Sequence, residues 1–93
     1  MLTVRITARL HAPWCRSLKD KRAEIQSLIS RIRRKFNVSI IESGLQDIHA
    51  RMELTIAALA FDAAQADSIS ESLYHFILGA TEAELIEWDQ QRQ

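Results

Sequence analysis

Residues 2–36 read LTVRITARLHAPWCRSLKDKRAEIQSLISRIRRKF, and the change of pattern inside this stretch decides the fold. Over residues 2–10 apolar and polar side chains alternate, and this period of two predicts a strand with one buried face. Pro13 ends the strand, because proline has no N–H to donate to a β-ladder.

A long helix is predicted after this strand. Ser17 has the side chain of an N-cap, and Asp20 stands in the reciprocal position of a capping box. The period then changes to the helical value, which predicts an amphipathic helix over about residues 18–36. Its apolar stripe consists of Leu18, Ile25, Leu28, Ile29, Ile32 and Phe36.

Two strands are predicted next. Asn37 fits a helix stop, and Val38–Glu42 is short and β-branched, as strands often are. The segment Ser43–Asp47 contains a glycine and predicts a turn. His49–Phe61 alternates again, which indicates a third strand.

A second helix and a fourth strand complete the pattern. Asp62 predicts the helix N-cap with Gln65 in the reciprocal position, and Gly79 predicts the left-handed residue at the helix end. Glu84–Asp89 predicts a short strand, and the polar tail Gln90–Gln93 is expected to be frayed.

The order β-α-β-β-α-β predicts an α+β fold of ferredoxin-like topology, occupying residues 1–93 as a single domain. Both helices would cover one face of a four-stranded antiparallel sheet. The other face would stay open, lined by Thr3, Arg5, Thr7, Arg9, Arg51, Glu53 and Thr55.

Composition excludes several classes of protein. No stretch is apolar over the roughly 18 residues that a membrane span needs, and the charged, alternating N-terminus does not resemble a signal peptide. The lone Cys15 can form no internal disulfide. We therefore expect a cytoplasmic protein that does not bind a membrane.

The net charge is zero, but the charges are segregated along the chain. Residues 1–35 contain ten basic and two acidic side chains, a net charge of +8, and residues 36–93 contain two basic and ten acidic ones, a net charge of −8. Such a split favours a polyanionic partner. It is equally explained by two halves that complement each other inside one fold.

The first helix carries the candidate site. Three cations, Lys19, Lys21 and Arg22, lie near its start, where free N–H groups favour an anion or a phosphate. Arg33 and Arg34 extend the basic surface. The alternatives are a structural ion pair at Lys21 or Arg22, a favourable dipole effect of the cations in the last turn, and a basic helix that faces the acidic second helix.

No enzyme, metal or cofactor site is predicted. His11, Cys15 and His49 lack the spacing of metal ligands, and a single cysteine near a histidine is usually incidental. With Gly44 and Gly79 as the only glycines, no phosphate-binding loop can form. The predicted open face has no aromatic residue, which argues against RNA recognition by base stacking on the sheet.

Two further features bear on interactions. Trp14, beside the only proline, is expected to cover an edge of the core or to form an exposed contact. The open sheet face and the outer strands offer surfaces for self-association. Ile41 and Leu59 point toward that open face and could form the contact.

The residues Ser17–Arg22, which read SLKDKR, and Phe36–Ser39, which read FNVS, resemble the signature of the YlxP-like proteins, a family of small uncharacterised bacterial proteins. Glu42, Gln46-Asp47 and Glu53-Leu54 also match. The resemblance implies a ferredoxin-like fold and no established activity. Because YlxP-like genes often lie beside translation-initiation and ribosome-maturation genes, it also implies a role in ribosome assembly or RNA binding.

Two hypotheses follow. The chain is a module that binds structured RNA or a ribosomal particle through Lys19, Lys21, Arg22, Arg33 and Arg34. Alternatively, it is a structural or regulatory domain without enzymatic activity that forms a homodimer through the open sheet face or an edge strand.

Overall fold

A computed structural model describes residues 1–93 and contains four strands and two helices in the expected order. They are β1 (Leu2–His11), α1 (Leu18–Lys35), β2 (Ser39–Gly44), β3 (Arg51–Ala60), α2 (Ala63–Ala80) and β4 (Glu84–Arg92). The strands form one antiparallel sheet in the order β2-β3-β1-β4. The ferredoxin-like α+β prediction is confirmed.

The core lies between the sheet and the two helices. Val4, Ile6, Ala8 and Leu10 of β1 are buried, and the residues between them form the opposite face. β3 alternates in the same sense, so both strands bury their even-numbered side chains. The helices add the stripes centred on Ile32 and Leu73, which join the strand residues in one hydrophobic cluster. Both helices therefore cover the same face, as expected.

The order of the strands gives α1 two different flanks. α1 packs against α2 on one side and lies beside β2, an edge strand, on the other. Neither helix combines the length and the apolar content that a bilayer crossing demands.

Two local predictions at the C-terminal end were wrong. Gly79 does not end α2 in the left-handed conformation: the helix continues to Ala80, and Thr81 caps it with an extended backbone. The tail is not frayed, because β4 continues to Arg92 and Gln93 exchanges two backbone hydrogen bonds with Thr3. Backbone hydrogen bonds to β1 order these polar residues, although their side chains bury little surface.

The turn between β2 and β3 also differs in detail. Gly44 belongs to β2, and the positive φ of 57° falls on Leu45. A Cβ at Gly44 would lie 2.2 Å from Glu53 Oε2, the end of a flexible side chain on the neighbouring strand, so Glu53 would have to move to make room for it.

Candidate nucleic-acid interface

The start of α1 is held by a cap. Ser17 Oγ accepts a hydrogen bond from the backbone N–H of Asp20 at 3.1 Å, and Asp20 Oδ2 accepts one from the backbone N–H of Arg16 at 3.1 Å. The capping residues thereby satisfy N–H groups at the beginning of the helix. The acid also offsets part of the local positive charge.

One flank of α1, here called the inner flank, faces α2. Arg31 donates from Nη1 to the carbonyl oxygen of Ala80 at 2.7 Å, at the C-terminal end of α2. Lys35 Nζ lies 5.2 Å from the centre of the Phe76 ring. These two cations are therefore used by the packing of the helices.

The opposite flank of α1, here called the outer flank, lies beside β2 and faces away from α2. Arg33, near its C-terminal end, donates from Nη2 to the carbonyl oxygen of Ile40 in β2 at 3.0 Å, which fixes the direction of the flank. All members of the outer flank are exposed, and none is acidic. They are Lys19, Arg22, Gln26, Ser30 and Arg33.

The charges of the outer flank are largely free. Lys19, Arg22 and the adjoining Arg34 make no hydrogen bond and no ion pair within the chain. The acidic helix α2 is on the far side of α1, and its Asp67 pairs with Arg92 of β4 instead. The alternative that these cations face the acidic helix is therefore not realised. What remains is an exposed basic strip.

Lys21 does not belong to this strip. Its side chain is only 3% exposed, and its Nζ donates to the carbonyl oxygens of Leu45, Gln46 and Arg51 at 2.6, 3.3 and 3.2 Å. The same Nζ lies 3.1 Å from Glu42 Oε2, a buried oxygen with no other hydrogen-bond partner. The alternative of a structural ion pair is therefore realised at Lys21 and not at Arg22. In the folded chain the Lys21 ammonium is not accessible to an anion.

The burial of Lys21 had a signal in the sequence. It stands four residues before Ile25, just over one helical turn, and so shares the apolar stripe of α1. The sequence pattern did not indicate Glu42 as the partner of Lys21, because the pairing depends on where the fold places β2 relative to the start of α1.

The Cys15 region is a packing feature. Burial, with smaller effects from the nearby charges of Glu24 and Asp20, raises the pKa of the Cys15 thiol and keeps it protonated. His49 contacts Cys15 through the backbone, with Nδ1 2.7 Å from the carbonyl oxygen. Trp14 is 42% exposed and lines a cleft of about 350 Å³ with Arg31 and Thr81 at one end of the helix pair.

The open sheet face is polar and internally paired at its centre. Arg9 forms ion pairs with Glu53, at 2.9 Å, and with Glu87, and hydrogen bonds to these two carboxylates raise the pKa of its guanidinium. Arg5 donates to the side chain of Gln91. Trp88 pairs with Ala8 and so lies on the helix side of β4. The strands therefore present no aromatic side chain on the open face on which an RNA base could stack. The basic strip on α1 is the stronger candidate for a polyanion-binding surface.

Comparison with known proteins gives the chain a family. A family model described as a protein of unknown function, DUF503, matches residues 4–90. The chain belongs to the DUF503 family. It is also similar to the "Uncharacterized protein YlxP" of Bacillus subtilis (strain 168), with 39% identity over 61 residues, which is 66% of this chain and 66% of the relative. The resemblance to the YlxP-like proteins is thereby confirmed.

Neither description assigns an activity or a partner to the DUF503 family or to YlxP. In this DUF503 chain the SLKDKR run that carries the resemblance has mostly structural contacts. Ser17 caps α1, and Lys21 holds the loop between β2 and β3. Within the run, Lys19 and Arg22 keep their charged groups at the surface.

Proposed function

We propose that this chain is a non-enzymatic module that binds structured RNA through the outer flank of α1 and Arg34. The observation that carries the proposal is an exposed helix flank with cations at both ends, no acid and few internal partners. Basic side chains in such a strip contact phosphates, and release of counterions then supplies most of the affinity.

The dimensions of the strip suit a folded RNA. Lys19 and Arg33 are fourteen residues apart, or about 21 Å along the helix axis at ~1.5 Å per residue. The uncharged Gln26 and Ser30 lie between the two cationic ends, where they can donate to sugar hydroxyls. Because YlxP-like genes often lie beside genes of translation initiation and ribosome maturation, ribosomal RNA in the cytoplasm is the first candidate.

The test is a fluorescence-anisotropy titration with a structured ribosomal RNA fragment at about 50 and 200 mM salt. Three to four phosphate contacts give a slope of about −2 to −3.6 in log affinity against log salt, so we expect the affinity to fall about 20- to 150-fold over this range. The double variant Lys19→Glu with Arg33→Glu should abolish most of the binding at the lower salt.

The matched control is Arg5→Glu with Arg51→Glu, which changes the net charge equally but on the open sheet face. Retained binding in this control, together with loss in the α1 variant, supports the outer flank. Equal loss in both variants would mean a general charge effect. Absence of binding by the unmodified chain at about 50 mM salt, where screening is weak, would refute the RNA proposal.

A further inference from the structure

One corner of the open sheet face carries large apolar side chains that the fold does not use. Ile41 of β2 is 58% exposed, Leu59 of β3 is 64% exposed, and Phe61, directly after β3, is 84% exposed. Ala57 lies between them on β3, opposite Ser39. We call these four residues, Ile41, Ala57, Leu59 and Phe61, the apolar corner.

The exposure of Phe61 is unusual for its position. It precedes Asp62, the N-cap of α2, where an apolar residue often packs on the fourth helical residue as a hydrophobic staple. That residue is Ala66, which is small and completely buried, so Phe61 makes no such contact. Phe61 contributes only its backbone N–H, which donates to Gln65 Oε1 at 2.6 Å. Its ring is therefore free to contact another surface.

The backbone next to the apolar corner is also incomplete. The last pair between β2 and β3 is Ser39 with Ala57, so β3 extends past the end of β2. Leu59 pairs with Thr3 of β1 on one side and has no strand partner on the other. A shallow groove of about 410 Å³, lined partly by Val38, begins there. Apolar side chains, a free strand edge and a groove thus occur together.

The rest of the open face suits a second copy of this chain better than a charged partner. The open face carries charges of both signs, because Arg5 and Arg51 lie on it beside the cluster of Arg9 with Glu53 and Glu87, which keeps a net charge of −1. A second copy brings cations and carboxylates together on one surface and can compensate charges of both signs, whereas a partner of a single charge sign would meet like charges on part of the face.

Pairing through the β2 edge is less favourable. The outward carbonyl oxygens of Ile40 and Glu42 already accept hydrogen bonds from the side chains of Arg33 and Gln46. Side chains that occupy an edge in this way hinder the addition of a further strand.

We infer that the open sheet face is a homodimer interface, in which two copies pack their apolar corners against each other about a two-fold axis. Four strands spaced by about 4.8 Å and six to ten residues long give a face of roughly 19 by 29 Å, or about 550 Å² per copy. Two such faces bury about 1,100 Å², in the range of weak and transient interfaces, so we expect a dimer that forms only at micromolar concentrations. The outer flank of α1 stays accessible in both copies.

The test is analytical ultracentrifugation from about 1 to 200 μM protein, a range that spans micromolar concentrations. The unmodified chain should shift from monomer to dimer. Leu59→Glu should weaken the dimer at least about tenfold, because the substitution occurs twice in a two-fold interface. The matched control is Leu78→Glu on the exposed side of α2, where Leu78 is 47% exposed and the dimer should persist.

A salt series distinguishes an apolar interface from electrostatic attraction between the basic half of one chain and the acidic half of another. An apolar interface should persist between about 0.05 and 0.5 M salt, and association lost over that range would overturn the inference. A monomer throughout the concentration range, or equal weakening by Leu78→Glu, would also overturn it. If Leu59→Glu fails to show native circular dichroism, Phe61→Ser provides the same test at a position without core contacts.

Discussion

Replacing Lys21 by methionine isolates the contribution of its buried ammonium group. Methionine keeps most of the apolar stem, so the buried stripe of α1 that includes Lys21 and Ile25 is largely preserved. The ammonium is lost, and with it the donor to three loop carbonyls and the counter-charge of Glu42. The substitution therefore leaves a partly buried carboxylate without a partner.

The structure gives the size of the effect. Removing one partner of a buried ion pair costs about 3–5 kcal/mol. The Glu42 side chain is 25% exposed, so water can solvate part of the unpaired charge. We therefore expect a lower cost, about 2–4 kcal/mol of unfolding free energy. A loss of about 3 kcal/mol lowers Tm by about 12–24 °C in a domain of this size.

Urea denaturation followed by circular dichroism measures this loss directly. Lys19→Met, at an exposed neighbouring position, is the control and should change stability by less than about 0.5 kcal/mol. Adding Glu42→Gln to Lys21→Met should recover part of the loss, because the unpaired buried charge is removed. A loss below about 1 kcal/mol for Lys21→Met, or further destabilisation by Glu42→Gln in that background, would refute the reasoning.

Three other outcomes are expected. Because burial raises the pKa of Cys15 above its ordinary value of 9.0, the contribution of the protonated thiol to stability should be complete below that value and decline as pH rises toward the folded-state pKa. Cys15→Ala should flatten this decline in pH-dependent thermal melts. Arg31→Met removes the hydrogen bond to Ala80 and should cost about 1–2 kcal/mol in urea denaturation. Gly44→Ala should cost less than the roughly 1–3 kcal/mol of an overpacked core, because the clashing atom is the flexible end of Glu53, and Glu53→Ala should relieve most of this cost.

The order of the secondary-structure elements was predictable because each follows from local patterning. A period of two requires one buried strand face, and the change of period after Pro13 requires a helix. The caps at Ser17 and Asp62 formed as expected, since a side chain needs only its own next turn to make them. The end of α2 was not predictable from Gly79, because a helix end depends on where the chain must turn toward the sheet.

The candidate site was predictable in part. Lys19, Arg22, Arg33 and Arg34 are exposed as expected, because their helical positions lie away from the apolar stripe. Lys21 was grouped with them because of its charge and its place near the helix start, with a structural ion pair as the alternative, and its position four residues before Ile25 favoured that alternative.

The sequence by itself determined the element order, the face that each strand buries and the total charge of each half, because these depend on residue type and spacing along the chain. The tertiary structure decided which flank of α1 is free. That choice depends on the strand order β2-β3-β1-β4, which sets α2 on one side of α1 and an edge strand on the other. It also decided the partner of Lys21, since a buried ammonium must find oxygen atoms and only the folded loop at Leu45 brings enough of them within reach.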